Sequence, residues 1–426
     1  MTKATHIIHR VNLEFEVPDE KTGRLMQEDA LRIMKNDVLP VIEEYLDKEW
    51  KYRGSARIPQ MDLTLGNIHP DQFEEAFAEL CIHEFTTKMG QLLPKGLTDP
   101  KTGHIPHKSH SPDEKQLEQF LFFIQHGHLP WWSVDDKDFP NETDILKNPL
   151  FSKRKYRDWL IQLLKKAPYA LDRLIHQFSG KFTAELIHLS ITGNTLRKAD
   201  IPTFVEETKS SGVEARREMF FDWMESLTAA HRHGKERMDK PDEELVSDKQ
   251  IPDLQIAVEE GLFVNHAGLI LLHPFLEYFF RNCGLLAEKL FNDENARNTA
   301  IHLLYYIATG KKDPPEHELL FHKFLCGMDP ELPLPRKIRI RQSMLDEADK
   351  LIKSAIDHWK MLKRTSPQGL REGFLERKGK LILDNFQHRL IIEGKTIDVL
   401  LSGLPWGYGV VKLPWLKQPL IVDWNH

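Results

Sequence analysis

Helix-breaking residues most strongly constrain what this chain can fold into. Between residues 265 and 336, apolar helical segments alternate with breaks at Gly284, Gly310, Pro314, Pro315, Gly327, Pro330, Pro333 and Pro335. Glycine commonly ends a helix, and proline cannot continue one. We therefore expect several helices of ordinary globular length in this region and no single long helix.

The size and composition of the chain are those of a folded protein with more than one core. It has 426 residues, of which 41% are hydrophobic and 29% are charged. Chains of this length commonly divide into two or three domains. The periodicities described below predict a predominantly α-helical α+β protein.

The first 95 residues carry an alternation of strand and helix signals. Apolar residues recur at every second position in 5–17 and 58–65, which predicts two strands. They recur at helical spacing in 22–50, where Pro40 is expected to bend the helix, and again in 71–93. We predict a small β-α-β-α N-terminal module over 1–95, followed by a linker over 96–113 that is rich in Pro, Gly, Lys and His.

The rest of the chain is mainly helical in pattern. Helices are predicted at 115–126, 155–166, 168–178, 181–191, 201–208 and 213–230, which together form a helical middle region over 114–230. A polar linker or loop is predicted over 231–252. A C-terminal helical domain is predicted over 253–426, with helices at 268–291, 294–308, 315–326 and 341–363. Its β segments at 380–392, 396–401 and 420–424 are expected to form a small closing sheet.

Three cysteines, Cys81, Cys283 and Cys326, lie far apart in apolar surroundings, which predicts buried, reduced thiols and a cytoplasmic protein. The N-terminus lacks the continuous apolar stretch of a signal peptide. The most apolar segment, 261–280, contains His266 and Glu277, which are costly in lipid. We expect it to be a buried core helix and expect no membrane span.

The charge and histidine content do not predict a nucleic-acid or metal partner. The net charge of −6 gives no overall basic field that would bind nucleic acid. His104, His107 and His110 are evenly spaced, but they fall in the predicted linker with no Cys or carboxylate at a matching distance. The H-x-H pairs His126 with His128 and His231 with His233 are expected to be solvated or hydrogen-bonded.

Common catalytic motifs are incomplete in this sequence. His83-Glu84 lacks the second histidine of a zinc peptidase helix, and Gly310-Lys311 lacks the flanking residues of a phosphate loop. Ser402 has Leu400 where a nucleophile elbow requires glycine. We predict no catalytic residues, no cofactor and no small-molecule substrate, and an enzyme is the least favoured of the functions considered.

Several segments resemble a known family. They are GLILLHPFL (268–276), HLLYYIATG (302–310), PPEHELLFHKFLCG (314–327), HWKMLKRTSPQGLREGFL (358–375) and LPWGYGVVKLPWL (404–416). In this order they resemble the contractile injection system tape measure proteins of phage-tail-like bacterial particles. HIIHRVNLEFEV at the N-terminus and the strand-like DLTLGNI at 62–68 look similar as well. The aromatic residues Trp359, Phe374, Trp406 and Trp415 in these segments are expected to fill a core.

The resemblance implies a structural or assembly role in tail-tube length or in tube and baseplate assembly. Its expected partners are the tube, baseplate or other proteins of such a particle. A molecular ruler should be a long helix at roughly 1.5 Å per residue, and the Pro and Gly breaks oppose one. We therefore expect a compact member that acts at the baseplate or tube-initiation end, as an assembly factor or a short ruler. A cytoplasmic adaptor that loads cargo or recruits an assembly ATPase is the alternative.

Overall fold

A computed structural model describes residues 6, 8, 11–49, 55–56, 58, 61–92, 109–130, 132–133, 139–167, 169–197, 201–203, 205, 213–235, 261–362 and 364–424. The chain divides into two compact units, Met1–Lys115 and Gln116–His426. Helices predominate, and a small mixed sheet lies near the C-terminus. The predicted fold class, predominantly helical α+β, is confirmed. The finer domain division at residues 95, 113, 230 and 252 stays a prediction.

The first unit is built on three helices. They are α1 (Glu20–Ile33), α2 (Leu39–Glu49) and α3 (Phe73–Leu92). Asp19 caps α1 by accepting a hydrogen bond from the Thr22 N–H at 2.9 Å. A π-helical turn, Met34–Val38, separates α1 from α2, and the Leu39 N–H bonds the Met34 carbonyl. Pro40 cannot donate a helical hydrogen bond, so the wide turn beside it agrees with the bend expected there.

The two strands predicted in this unit are not found where the structure describes the chain. Residues 11–17 and 61–69 have no regular secondary structure. The alternation of apolar residues in these segments instead reflects packing against a helix. The centroid of the Phe15 ring lies 5.8 Å from that of Phe73 and 6.1 Å from that of Phe77, both in α3. Among the described residues of the unit, strand pairing occurs between β1 (Ser55–Ala56) and β2 (Ser109–His110). Apolar residues at every second position therefore predicted strands here, although these segments have no neighbouring strand to pair with.

The second unit begins with a helical region. Its helices are α4 (Pro112–His126), which starts in the first unit, α5 (Glu142–Leu146), α6 (Arg154–Lys166), α7 (Ala170–Gln177), α8 (Gly180–Thr192) and α9 (Val213–Lys235). Ser179 caps α8, and Gly193 ends it in the left-handed conformation at φ 76°. Helices α4, α6, α7, α8 and α9 match predicted ones, whereas α5 was not predicted. Half of the predicted helix 201–208 and most of the polar segment 231–252 lie outside the described residues, and 231–235, predicted as the start of that polar segment, form the end of α9.

The C-terminal region adds five further helices. They are α10 (His273–Asn282), α11 (Glu294–Thr309), α12 (Leu320–Leu325), α13 (Gln342–His358) and α14 (Pro367–Leu370). The helix predicted over 268–291 is shorter than expected, because α10 ends before Gly284, and β4 (Leu286–Ala287) and β5 (Leu290–Phe291) form a hairpin. The strand predicted over 396–401 is a 3-10 helix, Thr396–Gly403.

A five-stranded mixed sheet closes this region. Its strands are β3 (Leu262–Val264), β6 (Gly379–Ile382), β7 (His388–Ile392), β8 (Val410–Val411) and β9 (Leu420–Trp424). The order across the sheet is β3-β6-β7-β9-β8, and only the β7–β9 pair is parallel. One face packs on the core, where Leu381, Leu390 and Val422 are buried.

Two hydrophobic cores make up the second unit. One is formed by α4 to α9 and includes Phe120, Leu174 and Leu186. The other is formed by the C-terminal helices and the inner face of the sheet. Residues 267–272 are fully inside the second core, as expected for a buried segment, and no described helix is long and apolar enough to cross a bilayer.

Candidate functional site

Three charged side chains meet at a fully buried position between the two cores of the second unit. Glu316 comes from the C-terminal region, Lys323 from α12 and Arg173 from α7, and all three have no exposed surface. The Glu316 Oε1 accepts from the Lys323 ammonium at 2.7 Å and from the Arg173 Nε at 3.2 Å. We call these three residues the ion cluster.

Backbone carbonyls complete the coordination of the two cations. Lys323 donates to the carbonyls of Pro330 and Leu332 at 3.1 and 2.8 Å. Arg173 donates through Nη1 to the carbonyls of Ile124 and Gln125, in the last turn of α4. Carbonyls at the end of a helix lack intrahelical partners and carry partial negative charge. The cluster has two positive charges and one carboxylate, so these carbonyls stabilise the positive charge that the carboxylate does not neutralise.

Gly127 allows the cluster to form close to the end of α4. Its φ of +79° is in the left-handed region, and it follows the last helical residue. A Cβ at this position would lie 2.8 Å from both the Arg173 Nη2 and the Glu316 Oε1. Any larger residue would therefore separate the pair or shift the backbone, which makes glycine a requirement of the site.

Further polar contacts fasten the same junction. The Gln177 side chain of α7 donates to the Leu334 carbonyl at 2.8 Å and accepts from the Glu316 N–H at 3.2 Å. Arg336 donates to the Gln177 carbonyl at 3.2 Å. These bonds join residues more than 130 positions apart in sequence, so the two cores of the second unit are held by specific polar bonds as well as by apolar packing.

Partly exposed histidines near the ion cluster stay neutral. Burial lowers the pKa of His128 and of His317 to about 3, and that of His176 to about 4. The ring of His317 packs 5.0 Å from Phe139 and 5.8 Å from Phe123. Burial also lowers the pKa of Lys323, although the Glu316 carboxylate opposes that shift.

The ion cluster is suited to a structural role. A fully buried carboxylate between two cations has no access to a solvent-borne substrate, and an ion pair in such a site is costly to break. Within the described part of the chain, the Glu316 carboxylate makes its contacts with the two cations through Oε1, and Oε2 has no hydrogen-bond partner. The ion cluster specifies one arrangement of the two cores.

The histidines considered from the sequence do not gather into a metal site in the described residues. His126 and His128 lie with ring centroids 5.9 Å apart, and His128 contacts the Leu129 carbonyl through Nδ1 at 3.1 Å. No group of three or more His, Cys, Asp or Glu side chains in the described ranges is placed to hold a metal ion. His104 and His107 lie outside the described residues.

The ion cluster was missed by the sequence analysis. With 64 acidic residues in the chain, an isolated carboxylate carries no positional information. A usable signal was present in HELLFHKFLCG, where Lys323 lies in an otherwise apolar helical run. A lysine on the buried side of such a run needs an acidic partner nearby, and Glu316 lies seven residues earlier, two helical turns away.

The segments that resemble the tape measure family are joined to one another by hydrogen bonds within the chain. The Trp406 indole donates to the Leu271 carbonyl at 2.9 Å, and the Trp415 indole donates to the Leu325 carbonyl at 2.7 Å. Each bond connects segment 404–416 to another of the matching segments. Arg371 similarly donates to the Ile307 carbonyl at 3.0 Å, which joins segment 358–375 to segment 302–310.

The expected core role is confirmed for Trp359 and Phe374, whereas Trp406 and Trp415 are only partly buried. Trp359 is buried, lies 4.7 Å from the Phe374 ring and donates to the Leu400 carbonyl at 3.1 Å. Gly268 lies so close to the same region that a Cβ there would approach the Phe374 carbonyl oxygen to 1.7 Å. The matching segments therefore form the scaffold of the C-terminal region.

A second buried pair anchors the sheet to this scaffold. Asp398 accepts from Arg377 at 2.5 Å through Oδ1. Its Oδ2 accepts from the Trp424 indole at 2.9 Å and from the Lys395 N–H at 2.7 Å. The 3-10 helix that holds Asp398 is thereby tied to the last strand of the sheet.

All three cysteines are free and buried, as predicted. Burial raises the pKa of the Cys81 thiol to about 11 and that of Cys283 to about 12. Burial likewise raises the pKa of Cys326. Protonated, enclosed thiols are poor nucleophiles, so these residues act as small apolar side chains.

Removing the Glu316 charge should destabilise the second unit strongly. In Glu316→Gln, two cations stay buried without their shared carboxylate, and we expect the free energy of unfolding to fall by about 3–5 kcal/mol. Urea unfolding followed by tryptophan fluorescence measures this change, because eight of the nine tryptophans lie in residues 116–426.

The control is Glu347→Gln, which removes the carboxylate of an exposed ion pair with Lys350. Solvent-exposed ion pairs contribute little to the free energy of unfolding, so the urea midpoint of Glu347→Gln should match that of the wild type. Equal midpoints for Glu316→Gln and the wild type would show that the ion cluster does not stabilise the unit.

Acidification should destabilise the protein through histidines whose pKa desolvation lowers. His128, His176 and His317 keep folded pKa values of about 3 to 4, whereas unfolded histidine titrates near pH 6.5. Their stabilisation is complete above pH 6.5 and is lost as the pH falls toward 4. Each contributes a slope of up to about 1.4 kcal/mol per pH unit. Unfolding measured from pH 7.5 to 5.5 should show this slope.

His317→Leu should flatten this pH dependence by the share of one histidine, because leucine takes up no proton on unfolding. Identical slopes for His317→Leu and the wild type would contradict the assignment of the pH dependence to these histidines.

Comparison with known proteins identifies the family. The model of the family described as "Contractile injection system tape measure protein" matches residues 5–232 and 206–424. Searches of the curated proteins and of the solved structures gave no match. The two matched ranges together span nearly the whole chain, and they include the interlocking segments described above. The chain belongs to the contractile injection system tape measure protein family and is a structural or assembly component of a contractile injection system.

Proposed function

We propose that this protein is a compact assembly factor that acts at the baseplate or tube-initiation end of the particle. The observation that carries the proposal is the ion cluster, which bonds the two cores of the second unit at a fully buried point. A chain that measures length by being stretched along the tube would have to separate Arg173 from Glu316. Breaking such a pair leaves uncompensated buried charge.

Helix length supports the same proposal. The longest described α-helix, α9, has 23 residues and extends about 35 Å at 1.5 Å per residue, and the run of α1, the π-helical turn and α2 extends about 45 Å. A single helix of the whole chain would extend about 640 Å. Turns at Gly193 and Gly310, both with left-handed φ, end helices α8 and α11. These features favour a globular working form over an extended ruler.

The partners and the location of this protein can be proposed in more detail than family membership gives. Membership of the family implies association with other components of the injection system. We propose that the partners are tube and baseplate proteins. We further propose that the protein meets them in the cytoplasm, where it assembles with them or is incorporated in the particle.

Electron microscopy of particles from engineered strains tests the proposal. One strain lacks the gene, and a second carries an in-frame insertion of about 40 residues within 236–250, about 60 Å of added helix for a ruler. We expect the deletion to abolish complete tails and the insertion to leave tail length unchanged. An insertion of equal length within 98–103 is the matched control for a general effect of lengthening the chain.

Three results would contradict the proposal. Tails that lengthen in proportion to the insertion would establish a ruler. Normal particles in the deletion strain would exclude an assembly role. Normal tails without delivered cargo would favour an adaptor that loads cargo instead.

A further inference from the structure

The five-stranded sheet has one face whose side chains point away from the core and are exposed or partly exposed. Alternate residues of its strands point away from the core, and the register places them opposite one another. Its apolar members are Phe263, Ile382, Ile391, Ile421 and Val410. Val410 is 67% exposed and Phe263 is 42% exposed, while the three isoleucines are partly exposed. We call this surface the outer sheet face.

Charge on the outer sheet face is arranged in a way that suits a copy of itself. Arg389 on β7 and Asp423 on β9 form an ion pair, with 2.6 Å between the Arg389 Nε and the Asp423 Oδ2. Arginine has five N–H donors and a carboxylate has about four acceptor sites, so each can bind a second partner. A two-fold axis near this pair would place Arg389 of one copy against Asp423 of the other.

The same face carries both a groove and a projecting side chain. An open groove of about 600 Å³ lies beside the ion pair and is lined by Arg389, Ile391, Tyr408 and Gly409 among others. The strongly exposed Val410 adjoins Gly409 and projects from the edge strand β8. A projecting apolar side chain next to a groove is the arrangement that an isologous interface uses twice.

We propose that two copies of this protein associate through the outer sheet face, with Val410 of each copy in the groove of the other and with reciprocal Arg389–Asp423 pairs. Five strands about 4.8 Å apart give a face only some 20–25 Å across. Interfaces of that size are weak, and we expect a dissociation constant on the order of 10 μM. The inference does not depend on the assembly role proposed above.

Sedimentation equilibrium of the full-length protein from about 1 to about 200 μM tests the proposal, since this range brackets the expected constant. The wild type should change from monomer to dimer across the range. Arg389→Asp makes the charged pair all acidic, and Asp423→Arg makes it all basic, so each variant alone should stay monomeric. An equimolar mixture of the two should form a heterodimer, because opposite charges then face each other across the two-fold axis.

Gly409→Phe provides a test that does not alter charge. A Cβ at Gly409 meets no heavy atom within 4 Å, so the ring should enter the groove without disturbing the fold. This variant should be monomeric, with the circular dichroism spectrum and melting temperature of the wild type. Lys350→Glu, on an exposed part of α13, is the control and should dimerise normally.

Three outcomes would overturn the proposal. A wild type that stays monomeric at every concentration would show that a second copy does not cover this face. Dimers that persist in Gly409→Phe would place the interface elsewhere. Monomers in the equimolar mixture would exclude the reciprocal ion pairs.

Discussion

The arrangement of residues 116–426 depends on one carboxylate. Glu316 is fully buried and binds Lys323 from its own core and Arg173 from the other core. Burying three charges is costly, and this cost is offset only when the partners and the surrounding carbonyls are all in place. The two cores therefore have a strong preference for a single relative arrangement. The ion cluster is bonded by carbonyls at the end of α4 and at residues 330–332, and Gly127 leaves room for it.

The family match falls on residues that build this scaffold. Trp406, Trp415 and Arg371 each link one matching segment to another through a backbone carbonyl. Recognising the family from such residues identifies the system in which the protein works, because they define the core.

Helices were predictable from the sequence because their signals are local. Ser366 followed by Pro367 is a typical helix start, and the Ser366 Oγ accepts from the Gly369 N–H at 3.0 Å at the start of α14. Strands in the first unit were not predictable, because alternating burial at 11–17 does not reveal whether a neighbouring strand exists. The ion cluster joins residues 143 positions apart, Arg173 and Glu316, and no local pattern encodes that pairing.

The central claim is that residues 116–426 work as one folded body within the assembling particle. The most direct measurement is the distance between spin labels at Lys155→Cys in α6 and Lys353→Cys in α13, in the purified protein and in isolated assembly intermediates. Both lysines are exposed, and the native thiols are buried and unreactive. One unchanged distance in both samples is predicted. A longer distance in the intermediates would show that the two cores separate, and would contradict the claim.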